Sequence, residues 1–250
     1  DIEVRKMPAR VLTLTPLIDD VMQIELQLPA GQSVNYYPGQ YLNILLRDGH
    51  ERSYSMANPP RADNTVQLHI RHMPGGLFTD QVFGVGEVAL KERQIVRTEL
   101  PLGTFYLREE SQKPIVFLAS GTGFAPIKAM VEHMREQGLQ RQVRFYWGGR
   151  RPRDLYMSEL AGQWAQDFEY FEFIPVVSEA QPEDEWTGRT GFVHSAVMED
   201  LPDLSQWEVY ACGNPQMVEG ARRDFIRQCQ LPEEAYYADA FTSEADKASE

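Results

Sequence analysis

Four short stretches carry the residue types and spacings with the most specific chemistry. In residues 114–126, PIVFLASGTGFAP, an apolar run passes through a hydroxyl- and glycine-rich turn. It continues into a helical pattern marked by Ile127, Met130, Val131 and Met134. Gly121 and Gly123 permit close backbone approaches that a Cβ forbids, and the helix start behind them offers unpaired N–H groups, so the turn around Thr122 suits a pyrophosphate. Pro126 stands in the first helical turn, where its missing donor costs nothing. The Gly-x-Gly-x-x-Pro order replaces the third glycine of the usual dinucleotide fingerprint, and a plain strand-to-helix turn would use the same residues.

Residues 52–59, RSYSMANP, form the second stretch. Arg52 offers a planar donor fork for phosphate, Tyr54 a rigid aromatic face, and Ser55 a short donor or acceptor beside it. In an extended strand 52 and 54 share one face and 53 and 55 the other, so Ser55 needs a bend, an edge or a backbone contribution to join the same pocket. A barrel strand with a solvated arginine is the plainer alternative. The third stretch, residues 73–79 (MPGGLFT), turns at Gly75 and Gly76 into a short helix, leaving Thr79 and local N–H groups for a second phosphate contact.

The fourth, residues 211–217 (ACGNPQM), ends a strand and starts a long helix, with Gly213 and Pro215 fixing the turn. If the strand order is 3-2-1-4-5, this loop meets the GTGFAP loop at the topological switch, where open α/β sheets hold ligands. Cys212 then lines a reaction cleft, or is a small buried thiol. Arg150, Arg151 and Arg153 follow another strand end and suit the ribose-phosphate side of a nucleotide, or form a solvated basic loop. With Asp154 nearby and no acidic residue at the strand end itself, both NADH and NADPH stay open.

The elements that must position these groups divide the chain in two. Residues 9–110 hold short alternating segments rich in strand formers, punctuated by PAGQ, YPGQ, RDGH and NPPRADN, which predicts a small antiparallel β-barrel, with a sandwich as the alternative the pattern also allows. Residues 111–242 alternate strand and helix, which predicts an α/β domain with a five-stranded, mainly parallel sheet. Residues 1–8 read as a tether and residues 243–250 as a polar tail.

Composition narrows the classes. At 250 residues and 42% hydrophobic, the chain can bury one large core or two ordinary ones. A formal charge of −13 disfavours a nucleic-acid surface. Two cysteines cannot supply a four-thiolate iron–sulfur site, and the five histidines lack metal-binding spacing, so no metal is expected in this chain. No apolar run of about 20 residues predicts a membrane span, which makes cytoplasmic the default location.

Taken together, RSYS, GGLFT, PLGTF, SGTGFAP, YWGGR and ACGNPQM stand in the order seen in the ferredoxin–NADP reductase superfamily, and the chain resembles its bacterial NAD(P)H–flavin reductases and oxygenase reductase modules over nearly its whole length. Leu100 before Pro101 departs from the glycine often found there. The resemblance implies a flavin-binding barrel domain and an NAD(P)-binding domain, with FAD preferred over FMN and NADH or NADPH as electron donor. It makes Arg52 a flavin phosphate contact, Tyr54 a ring-packing residue, Ser55 a contact at the reactive flavin edge, and Gly75, Gly76 and Thr79 the second phosphate support. Gly121, Thr122, Gly123 and Pro126, with Arg150, fall to the dinucleotide. Cys212, Gly213, Pro215 and Met217 bring the nicotinamide toward the flavin, and Phe241 belongs to the flavin-side tail. Tyr54, Ser55 and Cys212 are thus expected to position and tune hydride transfer, not to form covalent intermediates.

The same resemblance implies onward electron transfer to a [2Fe–2S] domain, attached in many relatives and expected here in an N-terminal segment outside this sequence, or to an external redox acceptor. A stand-alone reductase of free flavin and a non-enzymatic flavin-binding docking subunit are the alternatives.

Overall fold

A computed structural model describes residues 2–242. The chain forms two compact units, one taking it through Leu107 and again over Ala125–Gln137, the other taking Arg108–Phe124 and Gly138–Phe241.

The first unit contains β1 (Arg5–Ile18), β2 (Val21–Gln27), β3 (Tyr41–Leu45), β4 (Glu51–Ser55), β5 (Thr65–Arg71), the short helix α1 (Leu77–Val82) and β6 (Ile95–Leu102). They form one antiparallel sheet in the order β4-β3-β6-β1-β2-β5. Alternation drives it: Met7, Ala9 and Val11 of β1, Ile24 and Leu26 of β2, and Leu42 and Ile44 of β3 turn into one core. The antiparallel sheet of the predicted barrel is present, and no ladder among the described residues closes it. Among the described residues the outer strands β4 and β5 share no ladder and meet at the single bridge Met56↔Leu68. The tether is corrected, because residues 5–8 begin β1 and pair with β6 from Arg5↔Leu100 onward. The charges of Arg5 and Lys6 mask an alternating strand whose inward position is Met7.

The second unit is built on β7 (Ile115–Ser120), which leads through the turn Gly121–Gly123 into helix α2 (Phe124–Glu136). It continues with β8 (Val143–Gly149), α3 (Ser158–Asp167), β9 (Phe171–Val177), β10 (Arg189–Thr190), α4 (Val193–Asp200), β11 (Glu208–Gly213), α5 (Pro215–Gln228) and β12 (Tyr236–Ala240). All pairings are parallel, in the order β10-β9-β8-β7-β11-β12. The five expected strands keep the 3-2-1-4-5 order. The sheet has six strands, not five, because the two-residue β10 adds an edge beyond β9, too short to show a period. β7 and β11, covered on both faces, are almost wholly buried, as central parallel strands are. From Ala125 on, α2 groups with the first unit, which the linear division at residue 110 does not capture.

Among the described residues no helix is long and apolar enough to cross a membrane. None of their His, Cys, Asp and Glu side chains form a group of three or more that could hold a metal ion. The polar tail at 243–250 lies outside the described residues.

Candidate functional site

In the second unit, two βα turns press together. A Cβ on Gly123 would stand 2.3 Å from the carbonyl oxygen of Cys212, and one on Gly213 would stand 2.4 Å from Ser120 Oγ. Gly213 also has φ +125°, a region L side chains rarely adopt. The approach is fixed by hydrogen bonds: Asn214 N–H donates to Ser120 Oγ at 2.9 Å, and Phe241 N–H donates to Gly213 O at 2.7 Å. Asn214 caps α5, its Oδ1 accepting from Gln216 N–H at 2.8 Å, with Pro215 in the first turn. The Gly121 carbonyl accepts from Trp147 Nε1 at 3.0 Å, and the Phe124 ring stacks on Trp147 at 4.2 Å. An aromatic floor from β8 thus holds the turn in shape.

The structure therefore gathers Gly121, Gly123, Cys212, Gly213 and Phe241. Thr122 completes the turn, and Pro126 is the third residue of α2. Met217 is partly exposed and packs against the core of the second unit.

Cys212 does not line a cleft. It is fully buried, and its thiol donates to the Gly123 carbonyl at 2.9 Å. Burial first, and the charge of Asp239 second, push the thiol well above its ordinary range, so it is a neutral group that ties two turns together. Asp239 stands opposite Cys212 in the β11–β12 register. Desolvation raises its carboxyl to about 6.

At the end of β8, Arg150 is exposed, and its guanidinium makes no hydrogen bond or ion pair with the described residues; its N–H donates to Asp154 Oδ2 at 3.0 Å. Arg151 is committed elsewhere, with two 2.7 Å hydrogen bonds to Asp184 that draw that carboxyl down to about 2.

In the first unit, β3–β4 pairing sets Arg52 opposite Ile44 and Tyr54 opposite Leu42, so both share the core-facing side. Arg52 is buried, with Nη1 donating to Glu51 O at 2.9 Å, and the Tyr54 ring lies 6.0 Å from Phe78 of α1. Ser55 falls on the other face, opposite Tyr41. It is buried all the same, and its Oγ has no hydrogen-bond partner among the described residues. A buried hydroxyl left unpaired costs about 1–3 kcal/mol, which a bound ligand can recover.

The glycine loop before α1 behaves differently from the expectation. Gly75 has φ +86° with open space around it, but Gly76 N–H is turned to Met73 O at 2.7 Å. The Thr79 hydroxyl accepts from Met73 N–H and donates to Met73 O, both at 3.1 Å, and the residue is buried. Thr79 closes the loop on itself.

Sequence reasoning missed Ser120, Trp147 and Asp239, each of which acts on a called residue from a distant part of the chain. The Trp in YWGGR and the Asp in YADAF were visible, but nothing local told them apart from core and surface residues.

Residues 8–106 match the oxidoreductase FAD-binding domain and residues 117–223 the oxidoreductase NAD-binding domain. The chain is 41% identical over 240 residues to the CDP-6-deoxy-L-threo-D-glycero-4-hexulose-3-dehydrase reductase of Yersinia pestis, covering 96% of this chain and 70% of that one. It is 30% identical over 233 residues to the NAD(P)H-flavin reductase of Aliivibrio fischeri, covering 93% of this chain and 97% of that one. The crystal structure of the Amycolatopsis cytochrome P450 reductase GcoB superposes with a TM-score of 0.85 at 30% identity, covering 96% of this chain and 71% of that one.

Proposed function

Because the chain belongs to the ferredoxin and flavin reductase-like family of FAD- and NAD-binding oxidoreductases, we propose that it is a flavin-dependent NAD(P)H oxidoreductase that passes electrons onward to an iron–sulfur acceptor. FAD, when bound, would supply a two-electron acceptor for the hydride that NAD(P)H gives up in becoming NAD(P)⁺.

The residues present fit both groups. Buried Arg52 offers a cation for the flavin phosphate, Tyr54 packs against the ring, and the unpaired Ser55 hydroxyl supplies a hydrogen bond at the ring edge. The Gly121–Gly123 turn, where Gly123 meets the Cys212 carbonyl too closely for a Cβ, receives the dinucleotide pyrophosphate at its backbone N–H groups. Arg150 takes the ribose-phosphate end. Buried Cys212 holds the Gly123 carbonyl and so keeps this turn in register with Gly213. None of these groups exchanges a proton with substrate; they bind and orient.

The observation that carries the reading is Ser55 Oγ, a buried hydroxyl awaiting a partner on the strand that also presents Arg52 and Tyr54. Two free, buried thiols fit a reducing, cytoplasmic setting. The test is anaerobic titration of FAD-loaded protein: NADH or NADPH bleaches the oxidised flavin band, and retention of the band with both rejects the reading.

A second reading, reduction of free flavin as a diffusing substrate, is favoured by the similarity to the flavin reductase over 97% of that protein's length. Turnover with added riboflavin as sole acceptor supports it.

A further inference from the structure

Lys128 lies in α2, five residues beyond Gly123, yet its side chain is almost completely buried. Its Nζ donates to the Ala57 carbonyl at 3.2 Å and pairs with Glu132 at 2.7 Å. Ala57 is the second residue after Ser55, in a segment whose polar groups are held from several directions. Met56 N–H donates to Gln40 O at 3.1 Å, Ala57 N–H to Gln67 O at 2.8 Å, and Tyr36 Oη to Asn58 O at 2.7 Å. Lys128 supplies the cationic bond in this set.

Stability alone does not account for a lysine here. Desolvating an ammonium costs several kcal/mol, the ion pair recovers only part of it, and an apolar side chain of similar length would fill the same space at least as favourably. What lysine does and methionine cannot is hold a carbonyl.

We propose that Lys128 is a positioning residue for hydride transfer: by fixing the Ala57 carbonyl it sets the exit of β4, and with it where Tyr54 and Ser55 meet the flavin. The proposal rests on the oxidoreductase reading above. It extends the site to a residue that touches neither flavin nor nucleotide.

The test compares FAD-loaded wild type, Lys128→Met and Lys128→Arg by anaerobic stopped flow with whichever nucleotide bleaches wild type. In Lys128→Met the limiting rate of flavin reduction falls about tenfold or more, since small misplacements of reacting atoms cost that much. The half-saturating nucleotide concentration stays unchanged, the melting temperature is not lowered, and Lys128→Arg recovers most of the rate. A wild-type limiting rate in Lys128→Met overturns the proposal. So does a loss that Lys128→Arg shares together with a lowered melting temperature, the mark of a purely structural role. If Lys128→Met does not fold, Lys128→Gln against Lys128→Arg gives the same comparison. Failure of wild type to bleach is a separate result and overturns the underlying reading.

Discussion

Gly123 and the Cys212 carbonyl approach so closely that a methyl group on the glycine would stand 2.3 Å from the oxygen. The neighbouring atom is backbone, held in the central strand β11, and cannot swing aside. Gly123→Ala therefore separates the two turns, destabilises the protein by about 1–3 kcal/mol through overpacking, and weakens nucleotide binding. Thermal unfolding and NADH titration of the FAD-loaded variant measure both effects.

Ser55→Ala separates ligand-free from ligand-bound behaviour. Removing an unpaired buried hydroxyl leaves the flavin-free protein as stable as wild type or more so, by about 1 kcal/mol. The FAD-loaded variant loses stability relative to loaded wild type and reduces flavin more slowly. Melting curves with and without FAD check the sign change.

Cys212 is predicted to be chemically silent. Fully buried, neutral and bonded to the Gly123 carbonyl, it resists thiol reagents in the native protein and reacts only on unfolding. Cys212→Ala keeps flavin reduction within about tenfold of wild type, since no covalent step needs the sulfur. Ellman titration in native buffer and in denaturant counts the accessible thiols.

Asp239 gives a pH signature. Its folded carboxyl is raised to about 6 from an ordinary 3.8. Between those values the native chain holds the proton more tightly than the unfolded one, so this group's contribution falls as pH rises through the window and is constant above it. Asp239→Asn flattens that slope. His69 works in the opposite direction: burial, with the Lys128 charge, holds it at about 3 against an ordinary 6.5. Its unfolded form gains a proton first, and stability is lost as pH falls through that interval. Denaturant midpoints from pH 4 to 7 for wild type, Asp239→Asn and His69→Gln resolve the two flanks.

The division into a strand-rich half and a βα half was legible because period-two and βα patterns are local properties of the chain. So were Gly123 and Gly213, since a glycine between a strand and a helix has few other uses. What stayed hidden depends on partners distant in sequence. Trp147 supports Gly121 across 26 residues, and Lys128 reaches Ala57 across 71, so neither partnership leaves a local trace. Thr79 is a phosphate-contact candidate by its loop; that its hydroxyl bonds Met73 is a choice made by turn geometry that composition does not encode. Closure of the barrel was not legible for a related reason, as strand patterns specify faces but not whether the two outer strands of a sheet pair.

The central claim is that nicotinamide delivers a hydride directly to flavin held by this chain. The most direct measurement is anaerobic stopped-flow reduction of the FAD-loaded protein by NAD(P)H carrying deuterium at the transferred C4 position. Direct transfer gives a single bleaching phase, saturable in nucleotide and slowed by the heavier isotope. Bleaching that is absent with both nucleotides, or that proceeds without transfer of the C4 label, would contradict it.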